Sequence, residues 1–165
     1  MSFLSPYSAR NVIVNYAGQL LNDGRPEDVF INVSEGSPRL STRKGNSGDT
    51  SVSLSPDHSA VVSLTFYPES KAGKVLTGIY YALKNYESVG EPVLGAVPLS
   101  IVDPSGGYYL ACAEATMMNK TDTSLGSDTG TVTFEFYVEQ AIQGSLPEDY
   151  AGDVAAALND LGISV

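Results

Sequence analysis

The chain has 165 residues, of which 42% are hydrophobic and 17% are charged, so it is long enough for one domain with a core and too poor in charge for a disordered protein. Its formal net charge of −10 argues against a basic surface that grips nucleic acid. The sequence has no apolar stretch of membrane-spanning length and no signal-peptide pattern at its N-terminus, so neither a membrane protein nor a secreted protein is expected.

The charge is divided unevenly along the chain. Residues 1–84 contain eight Lys or Arg and seven Asp or Glu, whereas residues 85–165 contain one Lys and twelve Asp or Glu. Copies of such a chain can meet head to tail with surfaces of opposite sign facing each other. Acidic residues that only keep the protein in solution explain the same distribution, and the sequence leaves both explanations open.

The N-terminal third of the chain predicts two strands and a long polar segment. Short β-branched runs predict strands over 12–16 and 28–35. The polar segment 36–51 exceeds the usual connection length of about 4–6 residues. Such a segment in a compact β domain is typical of a functional or disordered loop.

The next elements are two strands and a helix. Alternation of apolar and polar residues predicts strands over 51–54 and 62–67, which a Pro-containing turn separates. Apolar residues at helical spacing then predict a helix over 69–87, with Ser70 as its N-cap. Two glycines weaken this helix, so we expect it to depend on packing against a sheet.

The second half of the chain predicts three more strands and a C-terminal helix. The strands cover 97–102, 108–118 and 131–139, and the helix covers 149–161. Cys112 lies among small and apolar neighbours, which predicts a buried thiol of no special reactivity. The fold class that follows is mainly β (α+β): a β-sandwich or partly open barrel with one packed internal helix and a C-terminal helix.

Residues that could carry chemistry are scarce. His58, the single histidine, follows Asp57 in a turn, and adjacent turn residues do not orient each other as a catalytic triad requires. Asp122 and Asp128 lie in a polar loop that lacks the alternating acidic ligands of a calcium-binding loop. The sequence therefore predicts no catalytic, cofactor-binding or metal-binding residue, and no enzymatic activity.

A basic cluster in the polar segment has two explanations. Arg39, Arg43 and Lys44 either form part of a solvated loop or belong to an arm that docks on an acidic partner. The acidic second half of another copy supplies such a partner surface.

The order of the elements resembles that of the tail tube (inner tube) proteins of contractile-tailed bacteriophages. The resemblance covers residues 10–142 and rests on the pattern of elements, without a signature motif. The segments that carry it are 29–35, 50–54, 60–67, 70–86 and 131–139.

The resemblance implies a structural virion protein that assembles with itself. Six copies would form a ring with a continuous β-barrel, and rings would stack head to tail into a hollow tube. The expected partners are further copies of the chain, the tail sheath protein, and the baseplate and tail terminator proteins. Genomic DNA would pass through the lumen without specific binding, no membrane or cofactor would be involved, and assembly would take place in the host cytoplasm.

The resemblance also divides the chain and assigns its surfaces. Residues 1–165 would form one tail-tube-like domain, in which 36–57 is a protruding inter-ring arm and 148–165 a helical extension. The expected inter-ring residues are Arg39, Arg43, Lys44 and Asp49. The expected lumen-facing residues are Thr133, Glu135 and Glu139.

Two alternatives remain open at this point. Ten tyrosines favour a monomeric β-sandwich that binds carbohydrate or mediates adhesion, although the chain lacks the tryptophans that such modules prefer. The inner tube of a phage-derived contractile injection device is the second alternative, because the sequence does not separate it from a phage tail tube.

Overall fold

The computed structural model describes residues 9–27, 29–88, 95–104, 107–124, 130–145 and 159. Following a 3₁₀ turn at Ala9–Asn11, these residues form ten strands and the helix α1 (Lys71–Ser88). The strands are β1 (Ile13–Tyr16), β2 (Gln19–Leu20), β3 (Ile31–Glu35), β4 (Leu40–Lys44), β5 (Thr50–Leu54), β6 (Ala60–Phe66), β7 (Val97–Val102), β8 (Tyr108–Lys120), β9 (Val132–Val138) and β10 (Ile142–Ser145).

Eight of these strands form one antiparallel sheet in the order β2-β1-β7-β8-β9-β6-β3, with β10 paired to β8 beside this path. The sheet curls over itself, since Tyr16 on β1 meets Phe136 on β9 edge-on, with ring centroids 4.8 Å apart, although β7 and β8 lie between the two strands. The two ends of the sheet do not pair, so the described chain forms an open, sandwich-like layer pair instead of a closed barrel.

The strand β8 belongs to both halves of this curled sheet. Its N-terminal part pairs with β7 and β10, and its C-terminal part pairs with β9. Ala115 pairs with Val97 on one side and with Val138 on the other. The register shifts after Met117, where an irregularity bends the strand.

The core lies on the inner face of the curled sheet. Alternate residues of β6 and β9 are buried there, as their sequence pattern predicts. Burial raises the pKa of Tyr16 to about 12. The largest fully buried side chains are Tyr16, Leu21, Leu64, Phe66, Leu76, Leu99, Ile101, Leu110, Phe134 and Phe136.

The helix α1 packs its apolar stripe on this core. Ala72 and Leu76 are buried, and Ile79, Tyr80 and Leu83 pack against the core while partly exposed. The predicted N-cap is confirmed, because the backbone N–H of Gly73 donates to Ser70 Oγ at 3.0 Å. The carboxylate of Asp23 accepts from two further backbone N–H groups of the first turn, a contact that the local sequence does not predict.

The predicted fold class is confirmed, and the seven predicted strands are all present: β7 has the predicted bounds, and the other six have shifted ends. Three strands were missed: β2, β4 and β10. The prediction of a continuous loop over 36–51 is wrong, because β4 and β5 pair with each other as a hairpin. The predicted C-terminal helix over 149–161 lies, apart from Asn159, outside the described residues.

Candidate assembly surfaces

The hairpin of β4 and β5 stands apart from the main sheet. Its strands pair in register from Leu40 opposite Leu54 to Lys44 opposite Thr50, and every residue of both strands is exposed. No other described strand pairs with either of them. The turn is closed by a hydrogen bond from the backbone N–H of Gly45 to the carbonyl of Asp49 at 2.7 Å, and Gly48 adopts a positive φ of 88° that favours glycine.

The two faces of this hairpin differ in chemistry. Cross-strand partners share a face, so Leu40, Leu54 and Val52 lie together on one side. These three side chains are 42%, 69% and 58% exposed. The opposite side is polar and consists of Ser41, Arg43, Ser51 and Ser53.

The four predicted inter-ring residues all lie in this segment but not on one face. Arg43 belongs to the polar face, and Arg39, four residues before it, has the same parity along the chain. Lys44 lies on the apolar face. Asp49 lies in the turn, where its carboxylate accepts a hydrogen bond from Ser47 Oγ at 2.9 Å. The cations are therefore spread around the hairpin and do not form a single patch.

The two ends of the hairpin are fastened together where it leaves the sheet. Ser37 Oγ donates to one carboxylate oxygen of Asp57 at 2.6 Å, and the backbone N–H of Ser59 donates to the other at 2.9 Å. The N–H of Gly36 also donates to the carbonyl of Ser59. The hydrogen bonds from Ser37 and Ser59 lower the pKa of Asp57 to about 2.

The outer side of β3, β6 and β9 is a second candidate surface, which we call the polar sheet face. It carries Thr133 and Glu135, two of the predicted lumen residues. Thr133 Oγ1 lies 3.0 Å from Thr65 Oγ1, and Glu135 Oε2 accepts a long hydrogen bond of 3.5 Å from Asn119. None of the three strands contains a Lys or Arg.

Glu139, the third predicted lumen residue, lies elsewhere. It follows the end of β9 and lines a cavity together with Glu114 and Cys112. Cys112 itself is buried, as predicted, and burial raises the pKa of its thiol. The structure thus brings Thr133 and Glu135 onto one face and separates Glu139 from them.

An apolar groove is the surface that sequence reasoning missed. It has a volume of about 590 Å³ and lies where the sheet fails to close, between the edge strand β3 and the ends of β7, β8 and β10. Its walls include Val29, Ile31 and Val33, and its rim carries Glu27 and Glu35. The alternation of 29–33 indicated a strand, but only the sheet order reveals that this strand is an edge.

The residues that the sequence analysis considered for chemistry lie apart in the described chain. His58 is exposed beside the hairpin base, and its backbone carbonyl accepts from Ala141. Asp128, one of the two residues considered for calcium, lies outside the described residues. Within them, no three His, Cys, Asp or Glu residues are grouped so as to hold a metal ion. No helix in the described ranges combines the length and the apolar character needed to cross a bilayer.

No protein-family model matches the chain, and no curated protein matches it in sequence. Solved structures do match its fold. One is a chain of the extended sheath–tube complex of PVC, an extracellular contractile injection system, with 12% identity, a TM-score of 0.56, and coverage of 86% of this chain and 93% of that chain. Another, from the tube-terminating cap of the anti-feeding prophage, has 9% identity, a TM-score of 0.55, and coverage of 88% and 95%.

A third match comes from a virion. It is a chain of the native gene transfer agent particle, with 8% identity, a TM-score of 0.54, and coverage of 86% of this chain and all of that chain. At these identities the likeness concerns the fold alone, and in fold it confirms the resemblance predicted from the sequence. The chain has the fold of the tube and terminator proteins of contractile injection systems.

Proposed function

We propose that the chain is the subunit of a viral tail tube and has a structural role without catalysis. The observation that carries this proposal is the shared fold, which extends over most of the chain and nearly the whole of each tube or terminator protein that it matches. Six copies form a ring, and the rings stack head to tail into a hollow tube within a contractile sheath. The protein assembles in the host cytoplasm and is located in the tail of the finished virion.

The open edges of the sheet support ring formation. In the described chain, β2, β3 and β10 each pair with one strand only. Unpaired edges are sites of aggregation unless they are covered or joined to another strand. Closing the sheet from subunit to subunit pairs these edges in the ring.

The polar sheet face supports a role as the lumen wall. It presents Thr133 and Glu135 without any Lys or Arg from its three strands. Cations on such a wall would hold DNA by releasing the counterions of its phosphates. A wall without cations lets DNA pass, and we assign Glu139 to the end of the same channel.

The hairpin supports stacking between rings. It is exposed, leaves the sheet as one unit, and carries Arg39, Arg43, Lys44 and Asp49. In a stack it reaches the adjacent ring. The sheath protein surrounds the tube, and the baseplate and terminator proteins close its two ends.

Electron microscopy of the purified protein at high concentration tests this function. We expect rings with a central hole and tubes built from them. A monomer that forms neither, even when sheath and terminator proteins are added, would overturn the proposal. Rings that never extend into tubes would indicate a terminator instead of a tube subunit.

An injection-device inner tube is the second candidate, because several of the matching structures belong to contractile injection systems. It shares every assembly feature with the phage tube and differs in what passes through the lumen. Particles purified with the chain in place distinguish the two. Encapsidated DNA identifies the phage tail, and sheathed particles without a DNA-filled head identify the injection device.

A further inference from the structure

One outer face of the curled sheet carries no charged residue. It belongs to the layer formed by β2, β1, β7, residues 108–113 of β8, and β10, on the side away from the core. None of these strand segments contains Asp, Glu, Lys or Arg, although the chain as a whole has a net charge of −10. An antiparallel strand with one side in water normally places polar residues there, so the composition of this uncharged face indicates a covered surface. Its outward side chains include Ile13, Ser100, Val102, Tyr109, Ala111 and Ile142.

Two residues of the uncharged face are hidden from solvent. Ala111 is fully buried and Ser100 is 5% exposed, yet Ala111 does not belong to the cluster of buried side chains that forms the core. The ring of the neighbouring Tyr109 leans over Gly144, where an added Cβ would lie 2.6 Å from it. A side chain as small as alanine, in the middle of the outer surface of a sheet, is hidden when a further layer of structure closes over it.

The chain itself supplies a segment of suitable length and position. The strand β10 borders the uncharged face and ends at Ser145, and residues 146–165 follow it in the sequence. Residues 146–148 can reverse the chain, because connections of about two to six residues commonly join neighbouring elements. The predicted helix over 149–161 has a length of about 20 Å, which equals about six residues of a strand. A connection this short places the helix on the face of its own subunit.

The predicted helix is amphipathic. Its apolar stripe consists of Val154, Ala157, Leu158 and Leu161. The structure describes one residue of this segment, Asn159, which is helical and exposed. At 3.6 residues per turn, Asn159 lies about 150° around the helix from the centre of the apolar stripe. Its exposure is therefore what a helix with the stripe turned toward the protein requires.

We propose that the predicted C-terminal helix packs its apolar stripe on the uncharged face of its own subunit. The helix covers Ala111 and Ser100, and apolar burial holds it there. Its acidic side, with Asp149, Asp153 and Asp160, points to solvent, so the cover replaces an uncharged surface by a negatively charged one.

This cover keeps free subunits from associating through the uncharged face, because exposed apolar patches promote association. The edges of β2, β3 and β10 stay available, since a helix stacked on a face uses none of their backbone hydrogen bonds. The contact is made within one subunit and does not depend on the tube function proposed above.

Hydrogen exchange of the dilute, monomeric protein tests the contact. An isolated helix of this length is marginally stable in water, so slow exchange over 150–161 requires packing against the rest of the subunit. We expect these amides to exchange at least roughly tenfold more slowly than those of a synthetic peptide of residues 146–165. Sedimentation of the same sample verifies that the protein is monomeric.

Two matched pairs of substitutions locate the contact. Leu158→Asp and Asn159→Asp place the same charge on adjacent positions, one in the apolar stripe and one opposite it. On the sheet, Ile142→Asp alters the uncharged face, and Ser145→Asp alters an exposed position on the other side of the same strand. We expect Leu158→Asp and Ile142→Asp each to remove the protection of 150–161, as the loss of one packed aliphatic side chain predicts. The two control variants should change the exchange rate less than about threefold.

Four results would overturn the inference. They are exchange of the wild-type monomer at the peptide rate, equal loss of protection in Leu158→Asp and Asn159→Asp, protection that Ile142→Asp leaves unchanged, and protection that appears only at concentrations where dimers form. The last result would identify a second copy as the occupant of the face.

The fold of each variant is checked in the same experiment. Amides of β6 and β9 should exchange at the wild-type rate, because both strands lie outside the uncharged face. If Ile142→Asp unfolds these strands, the comparison of Leu158→Asp with Asn159→Asp decides alone. Failure of the wild-type protein to form tubes would overturn the proposed function and leave this inference standing, since the measurement is made on the monomer.

Discussion

Asp57 links the two ends of the hairpin through one carboxylate. It accepts hydrogen bonds from Ser37 Oγ and the Ser59 backbone, and these lower its pKa to about 2 from an ordinary value of about 3.9. A depressed pKa means that the carboxylate favours the folded arrangement above about pH 4 and loses this effect as the pH falls toward 2. The hairpin neck is therefore expected to stay fastened at neutral pH and to loosen only in strong acid.

Site-resolved NMR titration checks this. The side-chain carboxyl carbon of Asp57 should titrate near pH 2, and Asp57→Asn should speed hydrogen exchange at the Ser59 amide. Because Asp57 is fully exposed, global unfolding should change little. Asp49→Asn, which removes the other carboxylate of the hairpin, should leave the Ser59 amide unchanged. A midpoint near pH 4 for Asp57 would contradict the assignment.

At the scale of elements, the start of α1 is capped by one adjacent residue and one residue that is distant in the sequence. Ser70 caps Gly73, and Asp23 caps the N–H groups of Lys71 and Ala72. We expect Ser70→Ala to lower the free energy of unfolding by about 1 kcal/mol, the usual loss for an N-cap. Asp23→Ala should have an effect of the same order, and the double variant should lose less than the sum, since both caps serve one turn.

Urea unfolding of the three variants measures these effects. Lys74→Ala serves as the control, because its exposed side chain lies one turn further along the same helix. It should shift the free energy by no more than about 0.5 kcal/mol. Strict additivity of Ser70→Ala and Asp23→Ala would show that the two caps act independently.

The elements that sequence reasoning recovered are those with one buried face. The strands β6 and β9 alternate because their inner side chains are buried, and α1 shows its stripe for the same reason. The strands β4 and β5 have no buried side, and β4 therefore shows no hydrophobic periodicity that would distinguish it from a loop. The strand β2 has two residues, which follow a turn with positive φ at Ala17 and Gly18, and no periodicity can be read from so short a segment.

The candidate surfaces were predicted in part. The basic hairpin residues and the polar side of β9 were found because charge and alternation are local properties. The groove was missed because it exists only where β3 lacks a second neighbouring strand. Local periodicity predicts strands but does not predict their order in the sheet. The alternation along β9 predicts that Glu139 lies on the same face as Glu135. The strand ends at Val138, so the alternation does not extend to Glu139.

At the scale of the whole molecule, the hairpin should be separable from the fold. The backbone N–H of Ser55 donates to the carbonyl of Arg39 at 3.0 Å, so the chain can be rejoined there. Replacing residues 40–54 by Asn-Gly, which favours a tight hairpin turn, removes no buried core. We expect the free energy of unfolding to stay within about 1 kcal/mol of the wild-type value.

Assembly should respond differently from stability. Rings should form from the shortened chain, because the edges of β2, β3 and β10 are intact, but they should not stack. Electron microscopy and sedimentation give both readouts on the same sample. Long tubes from the shortened chain would contradict the stacking role of the hairpin while leaving the rest of the proposed function in place.

The sequence separation between paired strands determines which parts of the subunit fold first. The hairpin joins neighbouring segments and closes a short loop, so it forms early. The groove needs β3, β7, β8 and β10, and its walls meet only after almost the whole described chain has folded. An incomplete subunit therefore presents its hairpin before the sheet edges that pair in the ring are complete, so ring growth is restricted to finished copies.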